Sequence, residues 1–343
     1  MKAARYYKPG ELLKIEDVPI PKIGKNEVLI KVKASGLCHT DLHFIDGTLK
    51  PWKGTIPLTL GHEVAGNIIK TGTEIKNFKK GDRVIISNII SCGNCYYCKT
   101  GHENLCSNLD QIGFTVDGGY AEYVKTVEST LIKLPKTVSY EVGSVLTCAA
   151  ASCYHALVSI AKAKTGQIVL LNGFGGLGSN ALQIAQALGL QVIVIDISTE
   201  KLKVASKMGA TATINATNGN VSNKVKKVTN GEGVDIALEF VGRTKTIENA
   251  FKSLRKQGSL VFIGYTKDNF TFSPLELIVS ELSIKGSVAY TKDDLIKVVK
   301  LVEEQKIKPI ISKSFNINET NQALQKIAKG EIMGRAVIKP DEA

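Results

Sequence analysis

No stretch of the 343-residue sequence approaches the roughly 18 consecutive apolar residues that a membrane-spanning helix needs. The opening MKAARYYKPGELLKIEDVPIPK carries charges throughout and lacks the apolar core of a secretory signal. A cytoplasmic protein with no membrane partner is the expectation. The basic residues exceed the acidic ones enough for a formal net charge of +12, yet no block of about five or six like charges occurs. Lysines scattered in this way describe a solvated surface rather than a nucleic-acid groove, so no nucleic-acid partner is expected. An anionic cofactor would gain from the same field. Internal repeats and low-complexity segments are also missing.

What remains is ordinary in bulk and specific in detail. A content of 43% apolar and 22% charged residues is that of a globular chain, and the length predicts two domains rather than one. Seven cysteines in a reducing compartment point to metal binding or catalysis before disulfides. Up to about residue 150 the chain reads as short β-rich segments: NEVLIKVKASG, HEVAGNIIKTG and GDRVIIS alternate apolar with polar residues between glycine and proline turns. From about residue 165 the period changes. Apolar runs at 168–172, 192–196, 234–240 and 259–263 alternate with helical patterns such as NALQIAQALG, and weaker runs at 210–215 and 282–289 raise the strand count to six. Such alternation predicts βαβ units and a doubly wound parallel sheet, hence an α/β fold. The tail carries an amphipathic helix, KDDLIKVVKLVEEQ, then Pro309 and a last strand in GRAVIKP.

Within QIVLLNGFGGLGSNALQIAQALG, Gly173, Gly175 and Gly178 form G-x-G-x-x-G between an apolar strand and an apolar-periodic helix, with Gly176 and Leu177 inside the motif. In that context the glycines serve a tight turn, a close approach of backbone to pyrophosphate, and helix–strand packing. The helix N-terminus offers free N–H groups to the phosphates. Asp196 ends the next strand, 23 residues beyond Gly173. A carboxylate there suits ribose hydroxyls and repels a 2′-phosphate, so NAD is expected over NADP.

Cys92, Cys95, Cys98 and Cys106 crowd into CGNCYYCKTGHENLC. Four thiolates at this spacing can surround one zinc ion tetrahedrally, and a site so filled has no vacancy for substrate, which makes it structural. A redox pair would instead open a helix in its own βαβ unit, whereas this stretch reads as irregular.

The chain resembles the zinc-dependent medium-chain alcohol dehydrogenases along essentially its full length, through GLCHTDLH, LGHEVAG, the four-cysteine lobe, GGYAEYV, LTCAAASCY, GFGGLG and the closing GRAVIKP. The resemblance implies a GroES-like catalytic domain at 1–149 and 289–343 and an NAD-binding Rossmann domain at 150–288. It implies two zinc ions per chain, the catalytic one held by Cys38, His62 and Cys148 with a fourth position open. Glu63 resembles the family's alternate ligand, Asp41 the carboxylate that orients the histidine, and Thr40 and His43 the two members of a proton relay. His39 and Arg335 fall where the family contacts pyrophosphate, and Lys201 resembles a ribose-contacting lysine. Trp52 and Asn88 are implied near the substrate. The implied reaction is reversible hydride transfer between a primary or secondary alcohol and NAD, giving an aldehyde or ketone, in a homo-oligomer for which a tetramer is favoured over a dimer.

Two positions depart from the pattern: Ala150 and Ser152 stand where many members have glycine and threonine. Cys153, His102 and His155 match no role and are expected as packing or surface residues. Taken singly, His43 also reads as a surface histidine and Thr40 as a turn residue. A polyol or sugar dehydrogenase of the same family is the nearest alternative. A zinc-free reductase would lack Cys38, His62 and the lobe, and a zinc-ribbon nucleic-acid binder would not need the glycine fingerprint.

Overall fold

The computed structural model describes residues 1–54, 56–265 and 267–340. The chain forms two compact units, one comprising 1–151, 290–305 and 309–343, the other 152–289 and 306–308. The family resemblance implies that the whole tail from residue 289 belongs to the first unit. Lys306–Lys308 instead joins the second, where the Lys308 amide donates to Gln183 Oε1 at 2.7 Å.

In the first unit the long strand Glu27–Gly36 is the organising element. It pairs antiparallel with Glu63–Thr71, Tyr123–Val127 and Arg335–Lys339 within a seven-stranded sheet. Apolar side chains Val28, Ile30, Val32, Val64, Ile68, Val84 and Ile86 from neighbouring strands interlock as one core. Removing each such side chain from water is worth about 1.5–3 kcal/mol, which fixes the strand register. The register puts Gly36 opposite Glu63. A β-carbon on Gly36 would meet Glu63 Oε2 at 2.0 Å, so only glycine lets this carboxylate lie across the strand. A second core, with Leu37, Phe44, Leu60, Phe114 and Tyr120, packs at the end where that strand runs into helix His39–Ile45.

The second unit holds six parallel strands, in the order Ala212–Asn215, Gln191–Asp196, Ile168–Asn172, Val234–Glu239, Leu254–Phe262 and Ser283–Gly286 among the described residues. Both weak runs are therefore strands. This is the doubly wound arrangement, and its order reverses between Ile168–Asn172 and Val234–Glu239, where ligands sit at carboxyl ends. The fifth strand starts earlier than its apolar run suggested. Leu254 pairs with Val234 across an irregular register, and the polar residues Lys256 and Gln257 masked the start.

Helical residues Tyr140–Ile160 are long and apolar enough to cross a membrane by composition, but 78% of that window is buried inside the protein, as in a core helix. It is not regular. Leu146–Ala150 and His155–Ile160 are π turns, a feature frequent at functional sites, and the first contains Cys148.

Candidate active site

Cys38 stands in extended conformation at the N-cap of helix His39–Ile45, just after the long strand. Asp41, at the third helical position, folds back. Its Oδ2 accepts from the Cys38 amide at 3.0 Å and from the Tyr120 hydroxyl at 2.7 Å, and its Oδ1 lies 3.4 Å from His62 Nδ1. All of this is shielded from water: Asp41 and Tyr120 are fully buried and His62 nearly so. With Nδ1 facing a carboxylate, Nε2 is the nitrogen left for another partner. Among the described residues it is buried without a hydrogen bond.

What surrounds that nitrogen is a group of side chains that could hold a metal ion. Atoms of Cys38, His62, Glu63 and Cys148 all lie within 4.8 Å of one another. An orphaned imidazole nitrogen beside two thiols fits zinc, whose catalytic sites use three protein ligands and keep one position open. A thiol hydrogen bond from Cys148 holds the Cys38 sulfur well below the ordinary thiol range, against burial and with help from the Arg335 guanidinium. Cys148 moves the opposite way, raised by the same contact and by burial. Burial opposes charge on His62, yet Asp41 and Cys38 raise it well above the usual histidine value. Glu63 is pushed up to about 8 by burial, despite the Arg335 charge.

Arg335 lies against the same cluster. Its strand runs beside Gly36, so the guanidinium lies 7% exposed, with Nη2 at 3.2 Å from Glu63 Oε1 and 3.7 Å from Cys38 Sγ. Thr40 Oγ1 is 3.4 Å from Cys38 Sγ. His43 follows at helical i,i+3 spacing, its ring 5.8 Å from that of the exposed His39 and its Nδ1 3.7 Å from Asp46. Trp52 is 52% exposed and meets Phe114 edge-on at 6.1 Å. Asn88 is buried, its side-chain oxygen 3.1 Å from the Tyr290 hydroxyl.

Three contributors went unnoticed in the sequence. Phe114 tilts against the His62 ring at 4.7 Å and so closes one side of the cluster. Tyr120 belongs to the GGYAEYV motif but showed no role until its hydroxyl met Asp41. Tyr290 had no local signal at all.

The four-thiol lobe is more ordered than expected, with a helical turn Tyr96–Lys99 and a 3₁₀ turn Glu103–Leu105. Sulfur–sulfur distances are 3.5 Å for Cys95–Cys98 and 3.9 Å for both Cys92–Cys98 and Cys95–Cys106. Tetrahedral zinc with Zn–S bonds of about 2.3 Å requires about 3.8 Å, so the thiols fit the ion. Amides of Cys98 and Ser107 lower the Cys95 thiol to about 6, whereas burial lifts Cys98 to about 11. The seven cysteines are all free.

In the second unit Gly173 has φ of +102°, a backbone that favours glycine, and Gly175 precedes helix Gly176–Ala187. A β-carbon at Gly178 would meet the Gly173 carbonyl oxygen at 2.2 Å. Gly178→Ala is therefore expected to cost about 1–3 kcal/mol by forcing helix from strand. Thermal unfolding together with NADH titration checks this, with both stability and affinity falling. Asp196 Oδ2 accepts from the Phe174 amide at 2.7 Å and Oδ1 from the Ser198 amide at 2.9 Å, which anchors the carboxylate beside the glycine turn. Lys201 lies one turn into the helix that Ser198 caps. Leu177 offers its carbonyl to the buried Cys153 thiol at 3.3 Å.

Cysteine and histidine clusters that could hold metal in one unit and a glycine fingerprint with its carboxylate in the other point to a zinc-binding dehydrogenase. Family models agree: residues 24–136 match the alcohol dehydrogenase GroES-like domain and residues 176–304 the zinc-binding dehydrogenase domain. An NAD-dependent alcohol dehydrogenase of Sulfolobus acidocaldarius is 36% identical over 99% of both chains. An alcohol dehydrogenase of Geobacillus stearothermophilus is 37% identical over 100% of both. The crystal structure of the Aeropyrum pernix alcohol dehydrogenase superposes with a TM-score of 0.93 at 33% identity, covering 99% of this chain and 100% of its own. This chain belongs to the zinc-dependent medium-chain alcohol dehydrogenase family.

Proposed function

We propose that this protein oxidises primary or secondary alcohols to aldehydes or ketones with NAD, and runs the reverse reaction with NADH. The buried convergence of Cys38, His62 and Cys148 around an unbonded imidazole nitrogen carries the reading. Zinc bound there supplies a Lewis acid that makes an alcohol hydroxyl acidic. NAD supplies the hydride acceptor, with Gly173–Gly178 at its pyrophosphate and Asp196 and Lys201 at its ribose. The first unit is then the catalytic domain and the second the cofactor domain.

The chain's own groups do the rest. Asp41 holds the His62 tautomer, as outer carboxylates do for metal-bound histidines. Phe114 excludes water from one side of the imidazole. Thr40 Oγ1 accepts the alcohol proton as it hands its own onward, and His43 passes a proton to solvent. Glu63, paired with Arg335, is the alternate ligand. The thiols of Cys92, Cys95, Cys98 and Cys106 hold a second, structural zinc. Trp52 favours apolar alcohols, and Asn88 already faces Tyr290, which weighs against a second hydroxyl and so against a polyol. A screen of alcohols, polyols and aldehydes with NAD(H) tests the assignment; turnover confined to polyols would overturn it.

Seven free cysteines support a reducing, cytoplasmic location. Exposed Leu275, Ile278 and Val279 on helix Pro274–Ser280, beside the edge strand Ser283–Gly286, support a homo-oligomer, with a tetramer favoured. Analytical ultracentrifugation measures that state.

His43→Ala is expected to slow alcohol oxidation near neutral pH by up to about 10²-fold, the low end for general acid–base assistance. The deficit shrinks as pH rises, because hydroxide then takes the proton directly. A pH–rate profile with a primary alcohol decides: a defect equal at every pH would make His43 structural.

A further inference from the structure

Tyr290 is 1% exposed and lies immediately before Thr291, the N-cap of helix Lys292–Glu303. Its hydroxyl donates to the Thr147 carbonyl oxygen. That carbonyl belongs to the peptide unit whose nitrogen is Cys148's own, inside the π turn Leu146–Ala150. A phenol has a single proton to give, so the closer Thr147 carbonyl takes it ahead of Asn88 Oδ1 at 3.1 Å, and the Asn88 backbone amide stands at 3.4 Å as a donor to the same oxygen. The plane from which the Cys148 side chain hangs is thus held by a side chain remote in sequence.

The same helix start is held from the other side. The Lys292 amide, one of the donors a helix leaves unpaired at its first turn, donates to Glu103 Oε1 at 2.5 Å. Glu103 lies in the 3₁₀ turn that runs into Cys106 of the four-thiol lobe. Lys292 Nζ also donates to the Ser129 carbonyl at 2.6 Å. A continuous brace therefore runs from the lobe through Glu103, the Lys292 backbone and Tyr290 to the peptide of Cys148.

We infer that Tyr290 is a positioning residue for Cys148, and that Glu103 ties the four-thiol lobe to it through the start of helix Lys292–Glu303. The inference rests on the reading of Cys38, His62 and Cys148 as ligands of one zinc. Its consequence is that the metal state of the lobe is felt at the catalytic ligand set.

The test is the rate at which the holoenzyme releases zinc to an excess of a chromogenic chelator, with the catalytic phase identified as the one absent from Cys38→Ser. Tyr290→Phe keeps the ring and removes the hydroxyl, and with it the bond to the Thr147 carbonyl and the weaker contacts with Asn88. It is expected to speed the catalytic phase roughly 2- to 12-fold, the worth of the one bond that reaches the Cys148 peptide, and to leave the lobe's phase unchanged. Glu103→Gln keeps the shape with a weaker acceptor and should speed the catalytic phase less. Cys95→Ser, which empties the lobe, should speed it too. An unchanged catalytic phase in folded Tyr290→Phe, or equal acceleration of both phases, overturns the inference, and Glu103→Gln decides if Tyr290→Phe does not fold. A parent enzyme with no Cys38-dependent phase refutes the ligand-set reading itself, and the inference falls with it.

Discussion

Cys38→Ser is expected to abolish alcohol turnover, with kcat/KM lower by at least about 10³-fold, while bound zinc falls from two ions per chain to one. A metal's Lewis acidity is worth several kcal/mol of transition-state stabilisation, and each 1.4 kcal/mol or so is a factor of about ten. Serine cannot replace the thiolate, because its hydroxyl stays protonated where Arg335 and the Cys148 thiol favour the charged Cys38 sulfur. The fold should survive. Cys38 occupies an N-cap, where serine is among the preferred residues, and the Cys38 amide to Asp41 is a backbone contact that the change leaves alone. Circular dichroism with metal analysis separates chemistry from folding. Cys95→Ser provides the contrast: it removes a lobe ligand, so the melting temperature should drop by roughly 5 °C or more while residual turnover persists. A Cys38→Ser enzyme that keeps two zinc ions, or more than a tenth of parental activity, would sink the two-site description.

The second large effect concerns cofactor choice. Asp196→Ser removes the carboxylate proposed to accept the ribose hydroxyls, and hydrogen bonds to a charged acceptor contribute about 1.5–3 kcal/mol. NAD efficiency should therefore fall roughly 10- to 150-fold, and NADP efficiency should rise once the charge that repels a 2′-phosphate is gone. Asp196 also accepts from the Phe174 and Ser198 amides, so its loss loosens the glycine turn as well. A loosened turn harms both cofactors alike. The NAD-to-NADP ratio is thus the readout that isolates the ribose contact, measured by initial rates with each cofactor. An unaltered enzyme that prefers NADP would show that the carboxylate does not face the ribose.

Features confined to a short span of chain were legible as sequence. The glycine turn, the helix it opens and Asp196 lie within one βαβ unit, and the four thiols within one loop, so spacing alone showed that they come together. The alternation of strand and helix patterns carried the parallel sheet, because burial on both faces demands apolar runs in its central strands, whereas the two weak runs are its half-buried edge strands. What stayed hidden depends on partners far apart along the chain. Cys38, His62 and Cys148 could be grouped only by resemblance, Phe114 gave no sign of packing on His62, and the pairing of Arg335 with Glu63 had no local signal.

The sequence by itself therefore determined the element pattern, the fingerprint of the cofactor unit and the closed thiol set, because each follows from neighbours whose side chains meet at fixed local periods. Tertiary structure alone decided how Cys38, His62, Glu63 and Cys148 converge and what supports them. Strand register places Glu63 over Gly36, the return of the last strand brings Arg335 beneath both, and the start of the helix at Lys292 delivers Tyr290 to the peptide of Cys148. Long-range registers of this kind come from collective burial of the two cores, and no local pattern encodes them.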